Sequence, residues 1–433
     1  MKFGGTSVGS AQRMKNMVAL VAAAGNVTVV LSAMSGTTNS LIGISQCIKD
    51  KEFGNARKQI DDLERKYKET AAELLSDPEL LGKADAYINE VFAALRSYID
   101  KPFSTKEEKE VVAFGEKLST NLVALYMKQI GLNAILLDAT EFVRIDRNGE
   151  PDQEFIKEKF NAALNANPGY EIYLTQGFIC RNMDGEIDNL QRGGSDYTAS
   201  LLGAAANAEE IQIWTDIDGM HNNDPRFVEG TSPVSELHFE EAAELAYFGA
   251  KILHPTCVQP AKAANIPVRL LNTMEPEAPG TTIFNAEPTH SIKAVAAKDN
   301  ITAIKIKSSH MLLAYGFLRK VFEIFEKYHT PIDMITTSEV GVSVTIDNER
   351  YLKEILSELN EFGDVTVDQD MVIVCVVGDL EWQNRGFEAA VVNALKDVPV
   401  RMISYGGSNY NISLLIRKED KIPALKLLSQ HLF

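Results

Sequence analysis

Through residues 1–285 the chain alternates short, almost unbroken apolar runs with longer stretches of helical spacing, and this alternation constrains the fold more than any other feature. Strands that carry apolar residues on both sides must be covered on both faces, so the pattern calls for a three-layer α/β domain. The strand candidates are Val27–Ser32, Asn133–Leu137, Glu171–Thr175, Ile211–Thr215 and Pro267–Leu271. Between the first two, Asn55–Asp100 is charged and helix-favouring, with Ile60, Leu63 and Tyr67 at helical spacing. That spacing predicts a solvated helical insertion or a subunit surface. A chain of 433 residues exceeds what one hydrophobic core serves, and the Pro/Gly-containing stretch Glu275–Thr282 marks the expected boundary.

Beyond that boundary the sequence repeats itself. The first copy reads as strand Ile301–Ile306, helix Gly316–Tyr328, strands Ile332–Thr336 and Val342–Ile346, and helix Arg350–Glu361. The second reads as strand Met371–Val377, helix Gly386–Leu395, strands Val400–Ser404 and Ile412–Ile416, and helix Lys418–His431. Each helix opens on Gly-Phe, at Gly316-Phe317 and Gly386-Phe387, and each copy reaches Met-Ile, at Met334-Ile335 and Met402-Ile403. A duplicated split βαβ unit explains both. The second copy lacks a last strand, and Ser291–Ala297 is expected to supply it. The expected domains are therefore 1–285, 291–368 and 369–433, with 291–297 completing the last of these.

Composition narrows the function. A net charge of −17 disfavours nucleic acid and anionic membranes as partners, so a phosphate-rich ligand must meet locally concentrated positive charge. Cys47, Cys180, Cys257 and Cys375 form no CxxC pair, which suits a reduced cytoplasmic setting without structural zinc. The most apolar stretch, Met17–Met34, is split by Gly25-Asn26 into a helical half and a strand half, so it predicts no membrane span. No basic segment with a cleavage site points to a signal peptide.

Three constellations carry chemistry. The first is Lys2-Phe3-Gly4-Gly5-Thr6-Ser7-Val8-Gly9, followed by a helix-like run Ala11–Ala24. Glycines let backbone N–H groups approach a phosphate, and a helix start adds unpaired donors, although a tight turn with a surface lysine is the competing reading. The spacing is neither GxxxxGK[ST] nor GxGxxG. The second is Gln191-Arg192-Gly193-Gly194-Ser195-Asp196, opening an Ala/Leu-rich helix; its arginine suits a carboxylate or phosphate, and its aspartate is a ligand-organising group or a helix cap. The third is Trp214-Thr215-Asp216-Ile217-Asp218-Gly219 with Asn223-Asp224-Pro225-Arg226, polar groups beyond a strand end, where open sheets place ligands and where turn chemistry is the alternative. Phe248-Gly249-Ala250-Lys251 adds a lysine near His254-Pro255, where the histidine reads as structural.

KFGGTSVG, LSAMSGTTN, FGEKLS, TQGFI, RGGSDYTA, WTDIDG, NDPR and FGAKILHP occur in this order, and over essentially its whole length the chain resembles the aspartokinase family. The resemblance is to the monofunctional, lysine-sensitive branch. It implies an α/β amino-acid-kinase domain of the carbamate-kinase-like type, followed by two ACT domains of ferredoxin-like βαββαβ topology. It also implies ATP, Mg²⁺ carried by the nucleotide phosphates, and L-aspartate as ligands. By this resemblance Lys2, Gly4 and Gly5 meet the transferring phosphoryl group, and Asp196 organises Lys2 and the metal-bound nucleotide. Glu116 and Arg192 hold the amino acid, with Ser32, Thr38 and Ser195 completing its pocket. Thr215, Asp216, Arg226 and Lys251 line the nucleotide site, with His221 where the family commonly has a tyrosine. Met311, Gly316, Leu318, Asp333, Ser338, Glu339 and Val340 match effector positions between ACT domains of two subunits. Lysine is the expected effector, threonine the alternative, and a homodimer or dimer of dimers the expected assembly.

The residue types suffice for that chemistry. An aspartate side chain, with an ordinary pKa of about 3.9, is already ionised at neutral pH and needs no general base to attack phosphorus. The obstacle is repulsion between two anions, which lysine, glycine amides and the metal offset. Competing readings are another amino-acid kinase of the same fold, or a catalytically decayed sensor that only binds nucleotide or amino acid.

Overall fold

A computed structural model describes residues 1–190, 193–249, 253–287, 289–308 and 315–433. Its packing gives two units, Met1–Gly219 with Ile252–Asn285, and Met220–Lys251 with Ala286–Phe433.

In the first unit the strands lie in the order Ala134–Leu137, Ile172–Gln176, Val27–Leu31, Lys2–Phe3, Ile211–Thr215, Val268–Asn272 and Thr281–Phe284. The strands expected from the apolar runs form within a residue of their expected ends. Neighbours are parallel except the last pair, which is antiparallel. Lys2–Phe3 is only two residues long, yet it sits mid-sheet, with Lys2 beside Val30 on one side and Ile213 on the other. From this strand the chain first builds outward through Val27–Leu31 and later crosses to Ile211–Thr215 on the other flank. The reversal opens a crevice beyond the strands' carboxyl ends.

Helix Ala11–Ala24 starts at Ser10, whose hydroxyl accepts from the Arg13 amide, and stops at Gly25, whose φ of 76° is left-handed. Its buried residues Met14, Met17, Val18 and Val21 recur every three or four positions, the stripe a sheet-facing helix needs. The expected insertion is two helices, Phe53–Leu74 and Pro78–Ser97, the second capped by Asp77. It is not merely solvated: Ile60, Leu63, Tyr67, Ile88, Phe92 and Leu95 are buried in the same core as the sheet. Their apolar stripes are broad enough to require a partner.

The second unit contains one antiparallel sheet in the order Ile335–Ser338, Gly341–Ile346, Ile292–Lys307, Asp364–Gly378, Asn411–Arg417 and Val400–Tyr405. Two long strands each serve both repeats. Ile292–Lys298 pairs with Ile373–Gly378 in the half formed by the second copy, and Ile304–Lys307 pairs with Asp364–Val367 in the half formed by the first. A register shift between Lys298 and Ile301 marks the hand-over. Gly316 and Gly386 take the same left-handed conformation, φ 82° and 98°, just before their helices, so the repeated Gly-Phe is a repeated backbone requirement.

Met220–Lys251 packs with this second unit, although its sequence position lies inside the stretch expected to form the first domain. The Val295 amide donates to the Asn222 carbonyl at 2.8 Å, Asn223 Nδ2 donates to the Leu425 carbonyl at 3.0 Å, and Asn411 bonds Glu244. At Gly249 a Cβ would lie 2.3 Å from the Ala297 carbonyl oxygen, so only glycine permits that approach.

Candidate functional site

Two glycine loops, far apart in sequence, meet at one cavity of about 310 Å³ in the first unit. Lys2 Nζ and Asp196 Oδ1 are 2.6 Å apart, with side chains 9% and 13% exposed. Lys2 is brought there by the central strand; Asp196 lies in the first turn of helix Gly194–Ala205. The Gly4 amide donates to the Trp214 carbonyl at 3.2 Å, which ties the first loop to the neighbouring strand. Gly193 has a φ of 76°, and a Cβ there would lie 2.4 Å from His254 Cβ. Close packing, as well as turn geometry, therefore demands glycine.

Glu116 forms the opposite wall. It lies on the long helix Thr105–Gln129, which begins in a Ser104/Glu107 capping box. A Cβ on Gly115 would lie 2.9 Å from Ala33 Cβ, so the small residue lets this helix approach the loop after Val27–Leu31. Glu116 is 3% exposed; Oε1 accepts from the Ala33 amide at 3.2 Å, while Oε2 is buried without a hydrogen-bond partner among the described residues. Burial pushes its pKa up to about 8. Ser32, Thr38 and Ser195 line the same cavity, so the structure gathers Lys2, Gly5, Ser32, Thr38, Glu116, Ser195 and Asp196. Arg192 lies outside the described residues.

Sequence reasoning did not single out three contributors. Phe178 lines the cavity and has a φ of 67°, unusual for a bulky residue. Ser119 donates to the Ser32 carbonyl at 2.8 Å, one helical turn after Glu116. Ala33 contributes only its amide. TQGFI and FGEKLS contain Phe178 and Ser119, but backbone roles such as that of Ala33 leave no side-chain signal.

The expected nucleotide residues are more dispersed. Thr215 ends its strand and accepts from the Ile217 amide at 3.0 Å, and Asp216 is exposed in the following turn. His221 and Arg226 belong to the second unit. His221 Nδ1 is 3.1 Å from Thr231 Oγ1, and Arg226 is held by Asp224 in a two-point pair, Nε to Oδ1 at 2.9 Å and Nη2 to Oδ2 at 2.6 Å. Lys251 lies outside the described residues.

Of the expected effector positions, Met311 also lies outside the described residues. Leu318 packs on the core under the first repeat's helix, Ser338 donates to the Gly341 carbonyl at 3.4 Å, and Glu339 and Val340 are exposed. Gly316 stands at that helix's start. Asp333, another of the effector positions implied by the resemblance, already has an internal cation. Its carboxylate is 1% exposed, and Oδ1 is taken by Lys298 Nζ at 2.7 Å and by the Tyr247 hydroxyl at 2.5 Å. Oδ2 is buried without a partner among the described residues.

A cavity walled by glycine amides, a lysine and an unpaired carboxyl can hold a phosphoryl group beside an amino acid. The sequence model of the Amino acid kinase family matches residues 1–272, and that of the ACT domain matches residues 374–432. The molecule is thus an amino-acid kinase with an ACT regulatory part. It is 33% identical to lysine-sensitive aspartokinase 3 of Escherichia coli (strain K12), over 100% of this chain and 98% of that protein. The crystal structure of E. coli aspartokinase III with aspartate and ADP (R-state) superposes with a TM-score of 0.85 at 32% identity, covering 100% of this chain and 99% of that one. The same enzyme with lysine and aspartate (T-state) gives 0.82 at 32% identity, with the same coverage. The chain belongs to the aspartokinase family, and its activity is that of an aspartate kinase.

Proposed function

We propose that the cavity transfers the γ-phosphoryl group of ATP to the side-chain carboxylate of L-aspartate, giving 4-phospho-L-aspartate and ADP. The carrying observation is that the Lys2–Asp196 pair and the unpaired Glu116 oxygen line one cavity. An aspartate carboxylate oxygen forms the new bond to phosphorus while the bond to the ADP oxygen breaks, and no proton has to move. Glu116 receives the α-ammonium, Arg192 the α-carboxylate, and Ser32, Thr38 and Ser195 fix the backbone of the amino acid. Lys2 and the amides of Gly4 and Gly5 hold the phosphoryl oxygens; Asp196 keeps the ammonium of Lys2 aimed at them. Thr215, Asp216, His221, Arg226 and Lys251 contribute to nucleotide binding.

Asp196 stands beside the proposed phosphoryl position and is already paired to Lys2, a donor set that suits a Mg²⁺ ligated mainly by phosphates and water. Such an ion, when bound, would supply positive charge to the nucleotide phosphates.

In this reading the reaction opens the route to lysine, threonine and methionine, and an end-product amino acid feeds back through the ACT repeats. Lysine is favoured: the E. coli relative is named lysine-sensitive, and the buried Oδ2 of Asp333 has no partner among the described residues. Exposed Ile335 and Val340, on and beside the edge strand Ile335–Ser338, support pairing with a second copy into a dimer or dimer of dimers. Four unpaired cysteines suit the cytoplasm.

The test is ATP, Mg²⁺ and aspartate, with acyl phosphate trapped as its hydroxamate and lysine or threonine titrated separately. Aspartate-dependent hydroxamate with lysine inhibition is expected. Product with glutamate alone, or none with either acid, would contradict the assignment.

A further inference from the structure

The loop Ser32–Thr38 supplies much of the cavity wall, yet its own sequence does little to fix its shape. Gly36 adopts a left-handed φ of 82°, and no side chain caps the helix Thr37–Lys49 that follows. The restraint comes from elsewhere. Lys66 Nζ donates to the Ser35 carbonyl at 2.8 Å, and the Tyr67 hydroxyl lies 3.0 Å from Thr37 Oγ1. Both residues sit on the inserted helix Phe53–Leu74, which the spacing of its apolar residues alone would leave as packing.

We propose that this inserted helix is a brace for substrate binding, with Tyr67 and Lys66 acting as positioning residues that hold Ser32–Thr38 in its aspartate-binding shape. The brace is anchored independently of the loop: Tyr67 is fully buried, and its ring lies 6.2 Å from that of Phe92 on the second inserted helix. It also reaches the other site elements. The Ser35 amide donates to the Gly5 carbonyl at 3.0 Å, so Lys66, Ser35 and the first glycine loop form one chain of hydrogen bonds. Thr37, fully buried, stands between Tyr67 and the position a Cβ on Gly115 would take, 3.3 Å from Thr37 Cγ2. A displaced Thr37 would push on the turn that presents Glu116. Burial pushes the Tyr67 phenol up, so it remains a neutral hydrogen-bonding group at every pH the enzyme meets.

The inference rests on aspartate occupying this cavity, and steady-state kinetics separates the two. Tyr67→Phe removes only the hydroxyl and keeps the packed ring; Lys66→Met acts at the half-buried edge and leaves the core alone; Thr38→Ala reports on the pocket itself. Each brace variant is expected to raise the KM for aspartate about fivefold, the weight of one hydrogen bond, while the KM for ATP stays within about twofold. A rise with Thr38→Ala but none with either brace variant overturns the brace and leaves the pocket standing. No rise in any of the three overturns both. An equal rise for ATP and aspartate marks general loosening and also overturns the brace.

Discussion

Glu116 in the first unit and Asp333 in the second are both buried acids with one oxygen lacking a partner among the described residues, and among those residues only Asp333 has a cation. Glu116 accepts a single backbone amide and is held near pKa 8 by burial. Asp333 accepts from Lys298 and Tyr247, and Lys298 is also 2.9 Å from Asp347 and 4.2 Å from the centre of the Tyr247 ring. A buried carboxyl without a counter-ion keeps its proton, and on the function proposed above the ammonium of the substrate supplies the charge that lets Glu116 ionise. At Asp333 an internal ammonium, that of Lys298, already neutralises the acid. If Asp333 binds the effector as proposed, an effector cation has to share or displace Lys298.

The comparison can be broken in several places. The largest effect should come from Lys2→Ala, which removes the cation facing the phosphoryl group and is expected to lower kcat about a hundredfold or more. Near-normal turnover would remove Lys2 from the chemistry. Glu116→Gln should raise the KM for aspartate about thirtyfold at pH 8, the scale of a charge-assisted hydrogen bond, with the KM for ATP little changed. In the parent enzyme, Glu116 must lose its proton to pair with an ammonium, so aspartate affinity should climb up to about tenfold per pH unit and level off above about 8. Without ligand the same shift works against folding as pH rises from the ordinary value of 4.5 to about 8, because the folded chain retains a proton that the unfolded chain has released.

Smaller effects fall in the second unit. Lys298→Met should destabilise it by about 2–3 kcal/mol, since Asp333 is left buried with the Tyr247 hydroxyl but without a cation; thermal melts of the full chain measure this. Asp347→Asn should cost less than about 1 kcal/mol, because Asp347 is 41% exposed and its pairing is screened. If the two substitutions cost the same, Asp333 is not the chief partner of Lys298.

Much of this architecture was legible before any coordinates. The apolar runs marked the strands because burial on both faces leaves no alternative pattern, and the Gly-Phe repeat marked the duplication because both glycines need a left-handed backbone. Motif order drew attention to Lys2, Glu116 and Asp196. What escaped notice is set by packing between distant segments. Tyr67 looked like one more apolar position on a helix, since its hydroxyl finds Thr37 only after the insertion folds back on the sheet. The sequence does not single out Lys298, because nothing beside it reports Asp333 or Tyr247. Met220–Lys251 carries the same strand-and-helix texture as its flanks, so its packing with the second unit could not be read locally.

The central claim is that Glu116 stays without a cation until the substrate brings one. Calorimetric titration of aspartate into the enzyme at pH 7, repeated in buffers of different ionisation enthalpy, counts the protons released on binding. The account predicts about one proton released per aspartate bound, and about none with Glu116→Gln. Binding without proton release in the parent enzyme, or with the same release in the variant, would contradict it.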